Sequence, residues 1–81
     1  MGNVRQLINL NNVDDIKKFN KIVTSFDEEI DVISGRFVVD AKSIMGLFAL
    51  DLSRPVETEI LSDSEEVQGK FKEAISDFLL K

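Results

Sequence analysis

The sequence predicts an α+β domain, a two-layer open-faced sandwich with helices covering one face of a single sheet. Three observations predict it. Val56 to Leu61 alternates, with Val56, Thr58 and Ile60 on one side and Glu57 and Glu59 on the other, as a half-buried strand does. Two segments, beginning at Val13 and Val67, carry apolar residues at helical spacing. Two β-favouring runs flank Ser34-Gly35, the pattern of a hairpin. The element order is then β-α-β-β-α-β-α. These patterns leave the strand order open.

Val4 to Leu10 reads as the first strand, with Val4, Ile8 and Leu10 on one parity and Gln6 breaking it. Asn12 is a good helix N-cap, with Asp15 three residues on, suited to the positive end of the helix dipole. Val13, Ile16, Phe19, Val23 and Phe26 then predict a helix over Val13 to Ser25. Ile30 to Ser34 and Arg36 to Asp40 form the hairpin, the second arm holding Phe37, Val38 and Val39. Ala41 to Leu50 is a short apolar block in which Ser43 caps a helix of two turns carrying Ile44, Met45, Leu47, Phe48 and Leu50. Asp51 to Pro55 is a turn before the alternating strand. Ser62 with Glu65 matches a capping box, and Val67, Phe71, Ala74, Ile75 and Phe78 predict an amphipathic helix to about Leu80. Gly69 inside it costs about 1 kcal/mol against Ala.

At 81 residues the chain is a single domain, residues 1–81, with a modest core. Apolar residues make up 43%, close to the globular average and against intrinsic disorder. Ten basic and fifteen acidic residues give a net charge of −5, which argues against nucleic-acid binding. There is no Cys and no His. Disulfides, thiolate nucleophiles, Ser–His triads, His metal sites and phosphohistidine are thereby excluded. The longest apolar run, Ile44 to Leu50, is far shorter than the roughly 20 residues of a membrane span. No signal core or myristoylation motif follows Met1-Gly2. The expectation is a cytoplasmic, non-enzymatic domain without cofactor.

The segment Ala41-Lys42-Ser43-Ile44-Met45-Gly46-Leu47 resembles the regulatory-serine region of HPr, the phosphocarrier of the bacterial sugar phosphotransferase system. Phe26 lies at the matching distance before it. The hairpin, the alternating strand and the closing helix follow in HPr order, so the resemblance spans about residues 4–80. It implies an open-faced β-sandwich of HPr type, a four-stranded antiparallel sheet covered on one face by three helices. In that family the first helix opens with Gly, an apolar residue, His, Ala, Arg, Pro. The His takes phosphate from phosphoenolpyruvate through Enzyme I, and the Arg helps hold it.

Counting back from Phe26 places Asn12 at the phosphohistidine position, Val13 at Ala, Asp14 at Arg and Asp15 at Pro. The turn before the helix also lacks the family's Gly. An Asn amide nitrogen is not a nucleophile at neutral pH and relays no proton. Asp14 and Asp15 set two negative charges where a phosphoryl group would arrive. No catalytic residue is therefore expected, and phosphohistidine transfer is rejected.

The resemblance makes Ser43 the counterpart of the serine modified by HPr kinase/phosphorylase, while the plain reading of Ser43 is an N-cap. Ile44, Met45 and Phe48 correspond to a partner-docking patch in HPr, against the alternative that they complete a small core. Lys17, Lys18 and Lys21 form a basic cluster on the first helix, either a contact for an acidic partner or a solvated face, and Lys17 and Lys21 join the partner-binding candidates. Asp27, Glu28, Glu29 and Asp31 lack EF-hand spacing, so no metal site is expected.

The resulting expectation is a non-catalytic HPr-like protein, regulatory or partner-binding, with phosphorylation at Ser43. Its partners would be proteins, an HPr kinase/phosphorylase or a transcriptional regulator, with no nucleic acid and no membrane. A catabolite-repression member of the family that also lacks the histidine is a precedent. The alternative is a structural or assembly module that reuses the fold outside sugar phosphotransfer.

Overall fold

A computed structural model of the chain describes residues 4–80. Along the chain run β1 (Arg5–Ile8), α1 (Val13–Thr24), β2 (Ile30–Ser34), β3 (Phe37–Asp40), α2 (Ile44–Phe48), β4 (Val56–Ile60) and α3 (Glu65–Ala74), followed by a 3-10 turn, Ser76–Phe78. The strands form one sheet in the order β1-β4-β2-β3, with every neighbouring pair antiparallel. β4 is last in sequence but central in space, where its alternating Val56, Thr58 and Ile60 are buried and Glu57 and Glu59 are not.

The helices cover the face that holds Ile8, Ile30, Val32, Val56 and Ile60, all buried. From α1 come Ile16, Phe19 and Val23, from α2 Leu47, and from the last segment Phe71, Ile75 and Phe78. Two edge-to-face ring contacts tie α1 and the residues just after it to that segment. Phe19 meets Phe78 at 5.9 Å and Phe26 meets Phe71 at 5.7 Å between centroids. Such pairs add to simple area burial. Thr58 is the buried polar residue of this layer, and its hydroxyl donates to the Asp31 carbonyl at 2.9 Å.

On the other face, two rows cross the sheet. Leu7, Glu57, Ile33 and Val38 stand side by side, as do Arg5, Glu59, Asp31 and Asp40. Arg5 pairs with Glu59 at 3.3 Å and Glu57 at 3.6 Å. Glu59 and Asp40 flank Asp31, and desolvation together with the neighbouring carboxylates of Glu59, Glu29 and Asp40 raises its pKa above the ordinary 3.8.

Several boundaries differ from the sequence expectation. The first strand spans Arg5–Ile8 and not Val4 to Leu10, and Val4 is exposed. Ile8 pairs with Val56, and the residue before Val56 is Pro55, which has no N–H with which to extend the ladder. The hairpin arm begins at Phe37, because Gly35 and Arg36 form the two-residue turn. Gly35 has φ +60° and Arg36 does not have positive φ, as a turn needing Gly at its first central position requires.

The last helix is capped by Ser64, whose Oγ accepts from Val67 N–H at 3.2 Å, and not by Ser62. Ser62 Oγ instead accepts from Ser64 N–H at 3.1 Å, bracing the turn before the helix. The helix ends at Ala74 rather than near Leu80. The following 3-10 turn carries Phe78 onto Phe19 and sends the chain along β1. There Asn9 N–H donates to the Phe78 carbonyl and Leu80 N–H to the Leu7 carbonyl, both at 2.9 Å. One edge of the sheet is thus covered, whereas β3 forms the other edge with Phe37 71% and Val38 58% exposed.

Candidate functional site

The start of α1 is built by its own first turn. Asn12 is extended, and its Oδ1 accepts from Asp15 N–H at 2.8 Å. Asp15 Oδ2 reaches back to Asn11 N–H at 3.1 Å. Together they form a reciprocal cap that occupies donors an incoming anion would use. Asp14 is exposed in the same turn. A polar depression beside the cap is lined by Asn9, Asn11, Asp15, Lys18 and Asp77. Its two carboxylates face a single lysine, which makes it a poor seat for a phosphoryl group.

Ser43 begins α2. It is exposed, extended in backbone, and its Oγ accepts from Gly46 N–H at 3.2 Å. Three contacts hold the turn in front of it. Ser43 N–H donates to the Asp40 carbonyl at 3.0 Å, Lys42 N–H to Asp40 Oδ1 at 2.9 Å, and Asn20 Nδ2 to the Ala41 carbonyl at 3.2 Å. Lys42 stretches the other way, and its Nζ donates to the Phe26 carbonyl at 2.6 Å just beyond α1. Asn20, Asp40 and Lys42 were not among the site candidates. The signal in the sequence is Asn20, an uncharged polar residue beside the apolar face of a helix whose other polar positions, Thr24 apart, are charged.

The three apolar candidates separate. Met45 is 76% exposed and Phe48 is 44% exposed, while Ile44 is half-buried and packs against the core. Leu47, between them, is fully buried. An α2 of five residues can direct only one or two side chains inward, so Met45 and Phe48 are left outside. Lys17 and Lys21 are exposed on α1. Lys17, three before Asn20, lies nearer the side of α1 that faces the Ser43 turn, whereas Lys21, one after it, points about 100° away around the helix.

Asp27, Glu28 and Glu29 lie in the connection to β2, and Asp31 lies within β2. Among the described residues no group of three or more acidic side chains is arranged to hold a metal ion. Among the described residues, too, no helix is long and apolar enough to cross a membrane.

No protein-family model matches the chain, and no curated protein matches it either. Among solved structures it is similar to the crystal structure of HPr-C-His from Thermoanaerobacter tengcongensis. The two share 26% sequence identity, the match covers 95% of this chain and 92% of that one, and the TM-score is 0.72. This chain therefore has the HPr-type fold, an α+β open-faced sandwich with a four-stranded antiparallel sheet and three helices on one face.

Proposed function

We propose that this protein is an HPr-like regulatory or partner-binding domain that does not carry phosphohistidine and accepts phosphate on Ser43. The observation that carries the first half is the Asn12–Asp15 cap, in a chain with no histidine. Where the family has a nucleophilic ring, Asn12 has an amide committed to closing its own helix. Asp14 and Asp15 add charge that repels a phosphoryl donor.

Ser43 supports the second half. Its hydroxyl is exposed, its one hydrogen bond is to a single backbone N–H, and Gly46 beside it has no side chain to crowd it. Phosphate there would lie over the first N–H groups of α2, which have no acceptor within the helix. Met45 and Phe48 offer an exposed apolar contact next to it, and Lys17 and Lys21 offer positive charge on the adjacent helix. The partners this reading calls for are an HPr kinase/phosphorylase or a transcriptional regulator in the cytoplasm of a bacterium, with no enzymatic activity in the domain itself.

A second reading, an assembly module outside sugar phosphotransfer, is favoured by the bare β3 edge with its exposed Phe37 and Val38. Sedimentation separates the two. The regulatory reading expects a monomer whose state is indifferent to Met45→Asp and Val38→Lys, and the assembly reading expects an oligomer that either variant dissociates.

The loss of carrier chemistry is tested with Enzyme I and phosphoenolpyruvate on the native chain and on Asn12→His. Neither takes up phosphate, because the Arg, Pro and Gly context is also gone. Uptake by the native chain would overturn the proposal, and uptake by Asn12→His would show that a single residue accounts for the loss.

A further inference from the structure

A cleft lies away from both Asn12 and Ser43. It has a volume of about 640 Å³ and opens between the β2–β3 turn and the loop joining α2 to β4. Its volume falls within the roughly 300–1,000 Å³ typical of small-molecule sites. Its walls are mainly apolar, with Phe37, Val39, Leu50 and Pro55.

Its charge is unusual for this chain. The protein has three arginines, Arg5, Arg36 and Arg54, in a background of net −5. Arg5 is held by Glu57 and Glu59 on the sheet's open face. The other two line this one cleft, and among the described residues neither forms an ion pair within 4 Å, although Arg54 is near enough to attract the Asp51 carboxylate. Asp51 also lines it, but its Oδ1 accepts both the Ser53 hydroxyl at 2.6 Å and the Ser53 N–H at 3.1 Å. Those bonds tie the carboxylate into its own loop, which then presents Arg54.

We propose that this cleft binds a small amphiphilic anion, with an apolar body against Phe37, Val39, Leu50 and Pro55 and a carboxylate or phosphate head between Arg36 and Arg54. A guanidinium presents a planar fork of donors that matches either head group. Two guanidinium forks on the lining of one apolar cleft select for one compact anion attached to a hydrophobic group. A neutral apolar molecule would leave the guanidinium groups unused, and a bare ion would leave the walls wet. The inference is independent of the reading of Ser43.

The test is an NMR titration of the full ¹⁵N-labelled chain with phenyl phosphate, benzoate, inorganic phosphate and benzyl alcohol. Phenyl phosphate or benzoate is expected to give saturable shifts at the amides of Gly35, Phe37, Leu50 and Arg54. A response to one of them alone supports the proposal and identifies the head group. Inorganic phosphate and benzyl alcohol bind at least about tenfold more weakly, since each offers half of the recognition. Arg36→Gln and Arg54→Gln each lower the affinity about tenfold, the scale of one charge-assisted hydrogen bond. Both positions are exposed, so the variants remain folded, which the dispersion of the same spectra verifies. Phe37→Ala weakens the aromatic anions and leaves inorganic phosphate unchanged. The proposal is overturned if no probe saturates at millimolar concentration, if the arginine variants bind as well as the native chain, or if the shifts map to the Asn11–Lys18 depression.

Discussion

Gly46 donates its N–H to Ser43 Oγ at 3.2 Å, and a Cβ placed on Gly46 would stand 3.3 Å from that same oxygen. The residue that satisfies the serine is also the one whose missing side chain leaves it room. Ser43→Ala removes the cap and is expected to cost about 1 kcal/mol. Gly46→Ala combines a gain in helix propensity with crowding of Ser43 Oγ, while Val39 Cβ at 3.5 Å is in ordinary contact. In the Ser43→Ala background the oxygen is gone, so Gly46→Ala becomes more favourable there than in the native chain. A double-mutant cycle by urea unfolding measures the difference, and strict additivity would mean that the two residues do not interact.

Gly69 lies exposed inside α3, and a Cβ there meets no atom within 4 Å. Gly69→Ala is expected to stabilise the fold by about 1 kcal/mol, through helix propensity and a less disordered unfolded chain. An unchanged urea midpoint would show that this turn of α3 is frayed in solution.

Asp31 and Asp51 respond to pH in opposite senses. The native pKa of Asp31 is raised, so its contribution to stability is fully present below about 3.8 and is lost as pH rises through the native value. Asp31→Asn is therefore stabilising at pH 7, by about 0.5 kcal/mol on the scale of cross-strand charge pairs, and has no such benefit at pH 3. Asp51 is lowered by its side-chain and backbone hydrogen bonds from Ser53, so its contribution is present above 3.8 and fades as pH falls through its native value. Carboxyl-carbon NMR titration reads both, and Ser53→Ala is expected to return Asp51 towards its ordinary value. Asp31 titrating below Asp51 would contradict this assignment.

Phe78 joins the C-terminal segment to the core through Phe19 and precedes the hydrogen bonds that cover the β1 edge. Phe78→Ala is expected to cost about 3 kcal/mol, a large share of the stability of a domain this size. It should also speed amide exchange at Asn9 and Leu80 more than in β2. Uniform acceleration across the sheet would mean that the segment does not open on its own.

Much of this architecture is legible along the chain because its signals are local. The alternation of Val56, Thr58 and Ile60, the Asn12 cap and the Ser43 cap each depend on residues a few positions apart, and each stands in the structure. The choice of Ser64 over Ser62 was not legible, since two serines two residues apart both suit a helix start and only geometry selects the one that reaches Val67. The end of α3 carries no Gly or Pro, and it is the distant β1 that draws the chain away at Ile75. The separation of Met45 and Phe48 from Ile44 depends on where α2 lies on the core. Arg36 and Arg54 are far apart in sequence and meet at one cleft only because β4 inserts between β1 and β2, a strand order that no local pattern records.

On the proposed reading, phosphate reaches Ser43 and not the start of α1. Intact-mass measurement of the native chain and Ser43→Ala, each incubated with HPr kinase/phosphorylase and ATP, tests it most directly. One phosphate on the native chain and none on Ser43→Ala is the predicted result, with none on either chain from Enzyme I and phosphoenolpyruvate. A phosphate delivered by Enzyme I, or a kinase that leaves Ser43 untouched, would contradict it.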